Sequence, residues 1–311
     1  INPKFQREDV WTNPKKTRFI DSLYKRMPIP SMCFAYDHKT EKMVVIDGLQ
    51  RITSIIALLS PVSKFKLSSL DDVDSKLSGV SASKLQKERE IISKIENVTI
   101  PVTILRCDLN KRTHSEYIFT TFHRLNTGGT ALNNQEIRNC IFQGDLNDLL
   151  FELYEDDDWL NFMGRQSAVG DRFKAQELIL RLFAFLECVE KYEGRLSMFL
   201  NEFMHRKRVM DGADVERYRE LFYSTVRALR EMSNPPKTIV SREALLYGIG
   251  SNIDLVSTAE GFDADLALQA IYETDEFAAE NLQEGLSSKS KLIARLNAAN
   301  RAVREYAQSC R

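Results

Sequence analysis

The sequence lacks any long apolar run. Across its 311 residues, no stretch reaches the roughly 18 consecutive apolar residues that a membrane-spanning helix needs. No signal-peptide pattern opens the chain either. These absences predict a protein without a membrane helix, which we expect in the cytoplasm. The chain starts at Ile1 rather than at Met, which predicts that the natural N-terminus lies upstream.

Cysteine and histidine are both scarce. The five cysteines are scattered, odd in number and without a Cys-x-x-Cys pair, which argues against a disulfide framework or a zinc knuckle. The four histidines show no His-Asn-His pattern and no metal-ligand spacing, and no P-D-x-x-[DE]-x-K string occurs. A self-contained metal nuclease is therefore not expected.

The chain also lacks a net charge of either sign. Its 43 basic and 44 acidic residues leave a formal charge of −1, which excludes nucleic-acid binding through overall charge. Local charge is uneven, because residues 1–26 carry seven basic and three acidic side chains, whereas residues 262–285 carry seven carboxylates and no Lys or Arg. A basic N-terminal lobe and an acidic C-terminal stretch are one interpretation, and solvated surface is the other.

The first part of the chain alternates between helix and strand signals. Asn13-Pro14 begins a helix, residues 31–36 and 43–46 read as a β-hairpin, and residues 49–59 and 84–95 read as helices. The β-branched segment 98–106 contains Pro101, which favours an edge strand. The pattern predicts a small mixed sheet.

From Thr113 onward the periodicity is helical, and no strand signal of similar strength recurs. We predict an α+β fold, with an α+β domain over residues 1–143 and an all-helical domain over residues 144–311. The predicted helices cover residues 113–124, 133–142, 145–154, 171–190, 194–205, 214–232, 241–256, 265–272 and 287–308.

The string VVIDGLQRITSI, residues 44–55, joins a strand to a helix through Asp47-Gly48. A glycine there permits a tight turn, and the first N–H groups of the helix suit a phosphate, to which Arg51 adds a charged, two-pronged donor. Asp47 beside an anion requires a divalent cation such as Mg²⁺, or a water activated for attack. The structural alternative is a capped helix with a salt-bridged arginine.

A second string connects two predicted helices through Asn126-Thr127-Gly128-Gly129. Adjacent glycines flanked by Asn and Thr offer backbone N–H groups for an anion-binding nest, although an ordinary turn is the alternative. Just after it lie Glu136, Arg138 and Asn139, for which plain helix surface is the alternative interpretation.

Two further segments carry polar groups of interest. Gln6 and Arg7 lie between Phe5 and Trp11, where they are candidates for contact with a base or a phosphate, unless Trp11 is simply a core anchor. The basic run from His205 to Arg208 is a candidate DNA-backbone contact, through Arg206, Lys207 and Arg208, or else a solvated helix end.

Four strings occur together and in order: F-Q-R-x-x-V-W, P-I-P before a hairpin, D-G-x-Q-R-I-T, and F-x-R-L-N-T-G-G-T-x-L-N-x-Q-E-I-R-N. Together they resemble the domain found in GmrS-type subunits of modification-dependent (type IV) restriction systems. The resemblance is strong over residues 3–143 and looser beyond. It implies a ParB/sulfiredoxin-like fold for the N-terminal domain and a nucleotide hydrolase that is coupled to sensing of modified phage DNA.

The resemblance also implies roles for single residues. Asp47, Gln50 and Arg51 become catalytic candidates, with Asp47 as a Mg²⁺ ligand. The candidates for nucleotide or phosphate binding are Gln6, Arg7, Gly48, Thr53, Arg124, Asn126, Thr127 and Gly128. The implied partners are a nucleoside triphosphate with Mg²⁺, DNA, and an HNH-type nuclease as a separate protein or a fused domain.

Three functions remain open at this point. The first is a nucleoside triphosphate hydrolase or sensor in an anti-phage restriction system. The second is a binding module of the same fold that recognises DNA or a nucleotide without turnover, and the third and weakest is a DNA nickase. The carboxylate of Asp47 beside Arg51 favours hydrolysis, because a passive phosphate cradle gains nothing from a negative charge there.

Overall fold

The computed structural model describes residues 11–125, 132–164 and 173–310. The chain packs as two compact units, residues 1–132 and 133–311. The sequence-based division at residue 143 assigns one more helix to the first domain than this packing boundary does. Each unit has its own buried core.

The first unit is an α+β domain with a three-stranded mixed sheet. The central strand β1 (Met32–Asp37) pairs antiparallel with β2 (Lys42–Asp47) and parallel with β3 (Val102–Cys107). The strand order β2-β1-β3 leaves β3 at an edge, as Pro101 predicts. The predicted α+β class with a small mixed sheet is confirmed.

Helices complete the first unit. They are α1 (Asn13–Tyr24), α2 (Leu49–Leu59), α3 (Ala82–Leu85), α4 (Arg89–Glu96) and α5 (Arg112–Leu125). α5 packs against β2, and α1 packs against both α2 and α4. The hydrophobic cluster between α1, α2 and α4 buries Ile20 and Leu23 of α1, Leu58 of α2 and Ile95 of α4.

The single helix predicted over residues 84–95 is wrong, because the structure has two short helices there, α3 and α4. Gln86 lies at the break, and its Nε2 donates hydrogen bonds to the carbonyls of Leu58 at 2.6 Å and Ser60 at 2.9 Å. These carbonyls lie at the C-terminus of α2, where helix carbonyls need partners. The contact with α2 therefore competes with a continuous helix.

The second unit is helical throughout its described residues. Its helices are α6 (Asn134–Ile141), α7 (Asp145–Tyr154), α8 (Asp157–Met163), α9 (Lys174–Cys188), α10 (Leu196–Arg206), α11 (Gly212–Leu229), α12 (Ile239–Ser251), α13 (Ile253–Thr258), α14 (Ala264–Tyr272) and α15 (Lys289–Ser309). Short 3-10 turns cover Val189–Lys191, Asp275–Phe277 and Ala279–Leu282. The predicted run of helices after the sheet is confirmed.

Two helix predictions in this unit need correction. The sequence patterns did not indicate α8, although Asp156 supplies a cap whose carboxylate accepts a hydrogen bond from the Trp159 amide at 2.9 Å. The helix predicted over residues 241–256 is interrupted at Asn252. There, Asn252 Nδ2 donates to the Gly248 carbonyl at 2.9 Å and to Asn300 Oδ1 at 2.8 Å, which fixes the break by a tertiary contact.

The interpretation of Glu136, Arg138 and Asn139 as helix surface is also wrong, because all three are buried. Glu136 forms a capping box with Asn133 at the start of α6. Arg138 donates to Asn201 Oδ1 at 2.9 Å and to Glu177 Oε2 at 2.8 Å.

The buried network extends from α6 into the centre of the unit. Glu177 also accepts from Arg181 at 2.6 Å, and Arg181 pairs with Glu243 at 2.8 Å. Burial alone would raise the pKa of Glu177, but the charges of Arg138 and Arg181 outweigh it and lower that pKa. The charges of this network therefore stabilise one another away from water.

Replacing Arg138 by Met tests how much the second unit depends on this network. Arg138→Met should lower the free energy of unfolding by about 3 kcal/mol, because it leaves buried acceptors on Asn201 and Glu177 short of a donor. Urea unfolding followed by circular dichroism measures the change. Arg230→Met is the matched control, since the Arg230 side chain is 63% exposed in its pair with Asp158 and should leave the midpoint near that of the wild type. Equal midpoints for the two variants would contradict the assignment.

Candidate functional site

The turn between β2 and α2 depends on Gly48. Its φ of +103° lies in the left-handed region, and a Cβ placed there would lie 2.5 Å from Met32 Cγ and 2.7 Å from Met32 Sδ. Only glycine meets both conditions without strain. Gly48 is the N-cap residue of α2, and within the described residues no side chain caps this helix and no acidic residue lies in its first turn. Gly48 itself therefore supplies no side-chain acceptor at the positive end of the α2 dipole.

Arg51 lies one turn into α2 and is largely buried, with 11% of its side chain exposed. One terminal nitrogen donates to Asp47 Oδ2 at 2.5 Å, and the other donates to the carbonyl of Pro30. The structural alternative for this string was a capped helix with a salt-bridged arginine. The salt bridge is present, but a side-chain cap of α2 is not seen among the described residues. The guanidinium fixes the end of β2 to the segment that enters β1.

Asp47 is the more exposed member of the pair, with 40% of its side chain accessible. Within the described residues, its second oxygen, Oδ1, makes no hydrogen bond. Asp47 lies opposite Cys33 in the β1–β2 ladder. Burial raises the pKa of the Cys33 thiol, and the charge of Asp47 raises it further. Cys33 therefore stays protonated and is a poor nucleophile.

Gln50 connects two of the sequence strings. Its Oε1 accepts a hydrogen bond from the backbone N–H of Trp11 at 3.0 Å. Trp11 ends the F-Q-R-x-x-V-W string, whereas Gln50 belongs to D-G-x-Q-R. Trp11 also packs edge-on against Phe19, with ring centroids 5.7 Å apart, as the core-anchor alternative requires. The geometry assigns Gln50 a positioning contact.

The structure describes only two of the remaining residues predicted for this site, Thr53 and Arg124. The Thr53 hydroxyl donates to the carbonyl of Gln50 at 3.1 Å, so it is directed to its own helix. Arg124 is exposed in the last turn of α5. The others lie outside the described residues, and their contribution stays a prediction. They are Gln6, Arg7, Asn126, Thr127 and Gly128.

Sequence reasoning missed two contributors to the turn. Pro30 acts through its carbonyl oxygen, which no residue type reveals, although the P-I-P string was part of the family pattern. Met32 acts through its shape, because its side chain excludes a Cβ at position 48. The signal available in the sequence was the position of Met32 at the start of the strand that pairs with β2.

The three residues of the basic run in the second unit differ in exposure, and each contacts other residues of that unit. Arg206 is exposed and donates to Cys188 Sγ at 3.2 Å. Lys207, 16% exposed, lies 3.1 Å from Glu187 and 3.7 Å from Asp214. Arg208 donates to the carbonyl of Gln143 at 3.2 Å. Lys207 and Arg208 thus make contacts within the second unit, and a DNA contact by this run stays a prediction.

A metal site of the usual multi-ligand kind is not found in the part of the chain that the structure describes. No group of three or more His, Cys, Asp or Glu side chains there could hold an ion. Mg²⁺ often binds through one or two carboxylates and completes its shell with phosphate oxygens and water. Asp47 fits that simpler mode, since it offers one exposed carboxylate.

Gly48→Ala should destabilise the first unit by about 2 to 5 kcal/mol, since a Cβ adds a left-handed backbone cost to a clash with Met32. Thermal unfolding of the full chain measures the loss. Gly261→Ala is the control, because Gly261 has a φ of +73° with nothing within 4 Å of a Cβ added at that position, and it should incur only the backbone part, about 1 to 2 kcal/mol. If both variants lost the same stability, the contact with Met32 would not be the cause.

Comparison with known families agrees with the motifs. Residues 1–143 match the family of the GmrSD restriction endonuclease, N-terminal domain. No curated protein and no solved structure matches the chain, so the ParB/sulfiredoxin likeness stays a prediction. Over the described residues, no helix combines the length and the apolar character required to cross a membrane. The matched range contains the F-Q-R, D-G-x-Q-R and R-L-N-T-G-G strings, and residues 1–143 are therefore a GmrSD-type restriction-system domain.

Proposed function

We propose that this chain binds and hydrolyses a nucleoside triphosphate as the sensor component of a modification-dependent restriction system. The GmrSD-type domain indicates a component of such a system. Nucleotide binding and hydrolysis are what we propose in addition. The observation that carries this proposal is the glycine turn, in which Gly48 occupies the N-cap position of α2 without a side chain of its own and Arg51 lies in the first turn behind it. Helix N-termini with a nearby arginine favour phosphate groups.

Each residue of the turn has a separate role in this proposal. Gly48 allows the phosphates to approach the backbone, and Arg51 holds them with its guanidinium. Asp47 holds Mg²⁺ or orients the attacking water. Gln50 acts indirectly, because it accepts a hydrogen bond from the Trp11 amide and so ties Trp11 to the turn. Bound Mg²⁺ would supply charge neutralisation at the phosphates.

A binding module without turnover is the second candidate. The close pair between Asp47 and Arg51 favours it, because a carboxylate that serves only to fix an arginine needs no catalytic role. A DNA nickase is the third candidate, and the described residues offer it no multi-ligand metal site. DNA and an HNH-type nuclease remain proposed partners. Neither restriction nor sensing requires that this chain cut DNA itself, because a partner nuclease can make the cut.

Phosphate release with ATP, GTP, CTP and UTP, in the presence and absence of modified DNA, tests the proposal directly. Release above background with any of them supports a hydrolase. If the folded wild-type chain binds a nucleotide but releases no phosphate under every condition, the binding module is correct. If it binds none of the four, the phosphate site itself is wrong.

Arg51→Ala should weaken nucleotide binding by about ten- to a hundred-fold, because a charge-assisted contact to a phosphate contributes about 1.5 to 3 kcal/mol. Isothermal titration calorimetry measures the affinity, and circular dichroism checks that the variant folds. Arg112→Ala is a matched control on α5, where the arginine pairs with Glu116 at 2.9 Å in the same four-residue spacing. Equal affinities for the two variants would remove Arg51 from the site.

Asp47→Ala should leave nucleotide binding intact or tighter, while the rate of phosphate release falls by about a hundred-fold or more. Binding survives because the substitution removes a negative charge beside the phosphates. Turnover falls because the group that holds the metal or water is lost. Rates at saturating nucleotide, compared with those of Glu116→Ala, give the measurement. Unchanged turnover in Asp47→Ala would refute the catalytic role.

A further inference from the structure

Arg51 already has two acceptors without any ligand. One terminal nitrogen donates to the carbonyl of Pro30 and the other to the carboxylate of Asp47. A phosphate that binds this guanidinium must therefore share or replace one of them. The two acceptors differ in charge, because a carbonyl is neutral and a carboxylate repels an anion.

The exposures of the two side chains decide which acceptor gives way. Arg51 is largely buried, with 11% of its side chain exposed, whereas Asp47 is 40% exposed. The carboxylate thus forms the solvent side of the pair, and an incoming anion meets it first. Pro30, in contrast, is backbone next to β1, whose first residue is Met32. Asp47 is the acceptor that a phosphate can displace.

The displacement needs little change in the backbone. Asp47 ends β2 and pairs with Cys33 in the sheet, and Gly48 after it is held in one conformation by its φ of +103° and by Met32. The main chain on both sides of the carboxylate is therefore fixed. A rotation about the Asp47 side-chain bonds is enough to move the carboxylate away from Arg51, and side-chain rotations of exposed residues are fast.

We propose that Asp47 is an internal substitute for the ligand: its carboxylate holds Arg51 until a polyphosphate anion replaces it. The exchange rests on the proposed phosphate site and adds an order of events to it. Before binding, the Asp47 carboxylate is bound to Arg51. After binding, it faces the solvent beside the phosphates, where it is available to a cation. Asp47 therefore reaches its catalytic position only when phosphate is present.

Inorganic tripolyphosphate is the probe, since it contains no base and cannot depend on nucleotide choice. In metal-free buffer, Asp47→Asn should bind it about tenfold more tightly than the wild type, because the neutral amide competes less well for the guanidinium. Glu116→Gln is the control, since Glu116 pairs with Arg112 at 2.9 Å in the same spacing. It should bind like the wild type. Asp47→Ser serves as a second variant should the asparagine variant fail to fold.

A double-mutant cycle separates competition for Arg51 from simple charge repulsion. With Arg51→Ala in the background, Asp47→Asn should bring no tightening, because there is no guanidinium left to release. Thermal unfolding adds a readout, since Asp47→Asn should melt lower than the wild type without ligand yet bind more tightly. A purely structural role for Asp47 would lower stability without raising affinity.

The outcomes distinguish this exchange from the proposed function. If the wild type and Asp47→Asn bind with equal affinity, or if the tightening persists in the Arg51→Ala background, the exchange is wrong while the phosphate site stands. If neither protein binds tripolyphosphate, the exchange and the phosphate site both fail. Tightening that vanishes with Arg51 supports the exchange, even if no nucleotide is hydrolysed.

Discussion

The close approach of Gly48 to Met32 is the contact on which the candidate site depends. It brings the residue after β2, which is the N-cap of α2, against the first residue of β1. Because the backbone passes close to the Met32 side chain, a Cβ does not fit at position 48, and the N-cap position of α2 is therefore held by a residue that has no side chain to cap the helix. The ion pair of Arg51 and the contact of Gln50 with Trp11 are built on that fixed start.

The helical unit depends on a different kind of interaction. Its first helix, α6, carries the Q-E-I-R-N string of the GmrSD-type domain, and Arg138 of that string is buried among polar partners. A buried arginine is costly unless its donors are satisfied, and here Asn201, Gln135 and Glu177 accept from it. The family match therefore extends into the unit whose core is helical. The first packed unit ends at residue 132, whereas the family match ends at residue 143. The two ends differ because a packed unit is defined by contacts in the folded chain and a family match by sequence similarity.

Most of the architecture follows from patterns that are local in the sequence. Strand and helix patterns predicted the sheet, the turn at Asp47-Gly48 and most of the helices within a few residues, since each depends on neighbours along the chain. Apart from α8, whose cap at Asp156 is local, what sequence reasoning missed depends on distant partners. Gln50 accepts from an amide 39 residues away, Arg51 uses a main-chain carbonyl, and Arg138 is buried although arginine usually lies at the surface. The break at Asn252 likewise requires Asn300.

The parallel pairing of β1 with β3 has a consequence for the order of folding. β1 and β2 are neighbours in the chain and form a hairpin, whereas Met32 of β1 pairs with Val102 of β3 only after the chain has closed a long loop. Closing such a loop costs entropy before the pairing compensates for it, so non-local strand pairs form slowly. During synthesis, the hairpin and the Asp47–Arg51 turn leave the ribosome before β3 does. Of the two strand pairings in this sheet, the one that we expect to form first is thus the hairpin that leads into the candidate site.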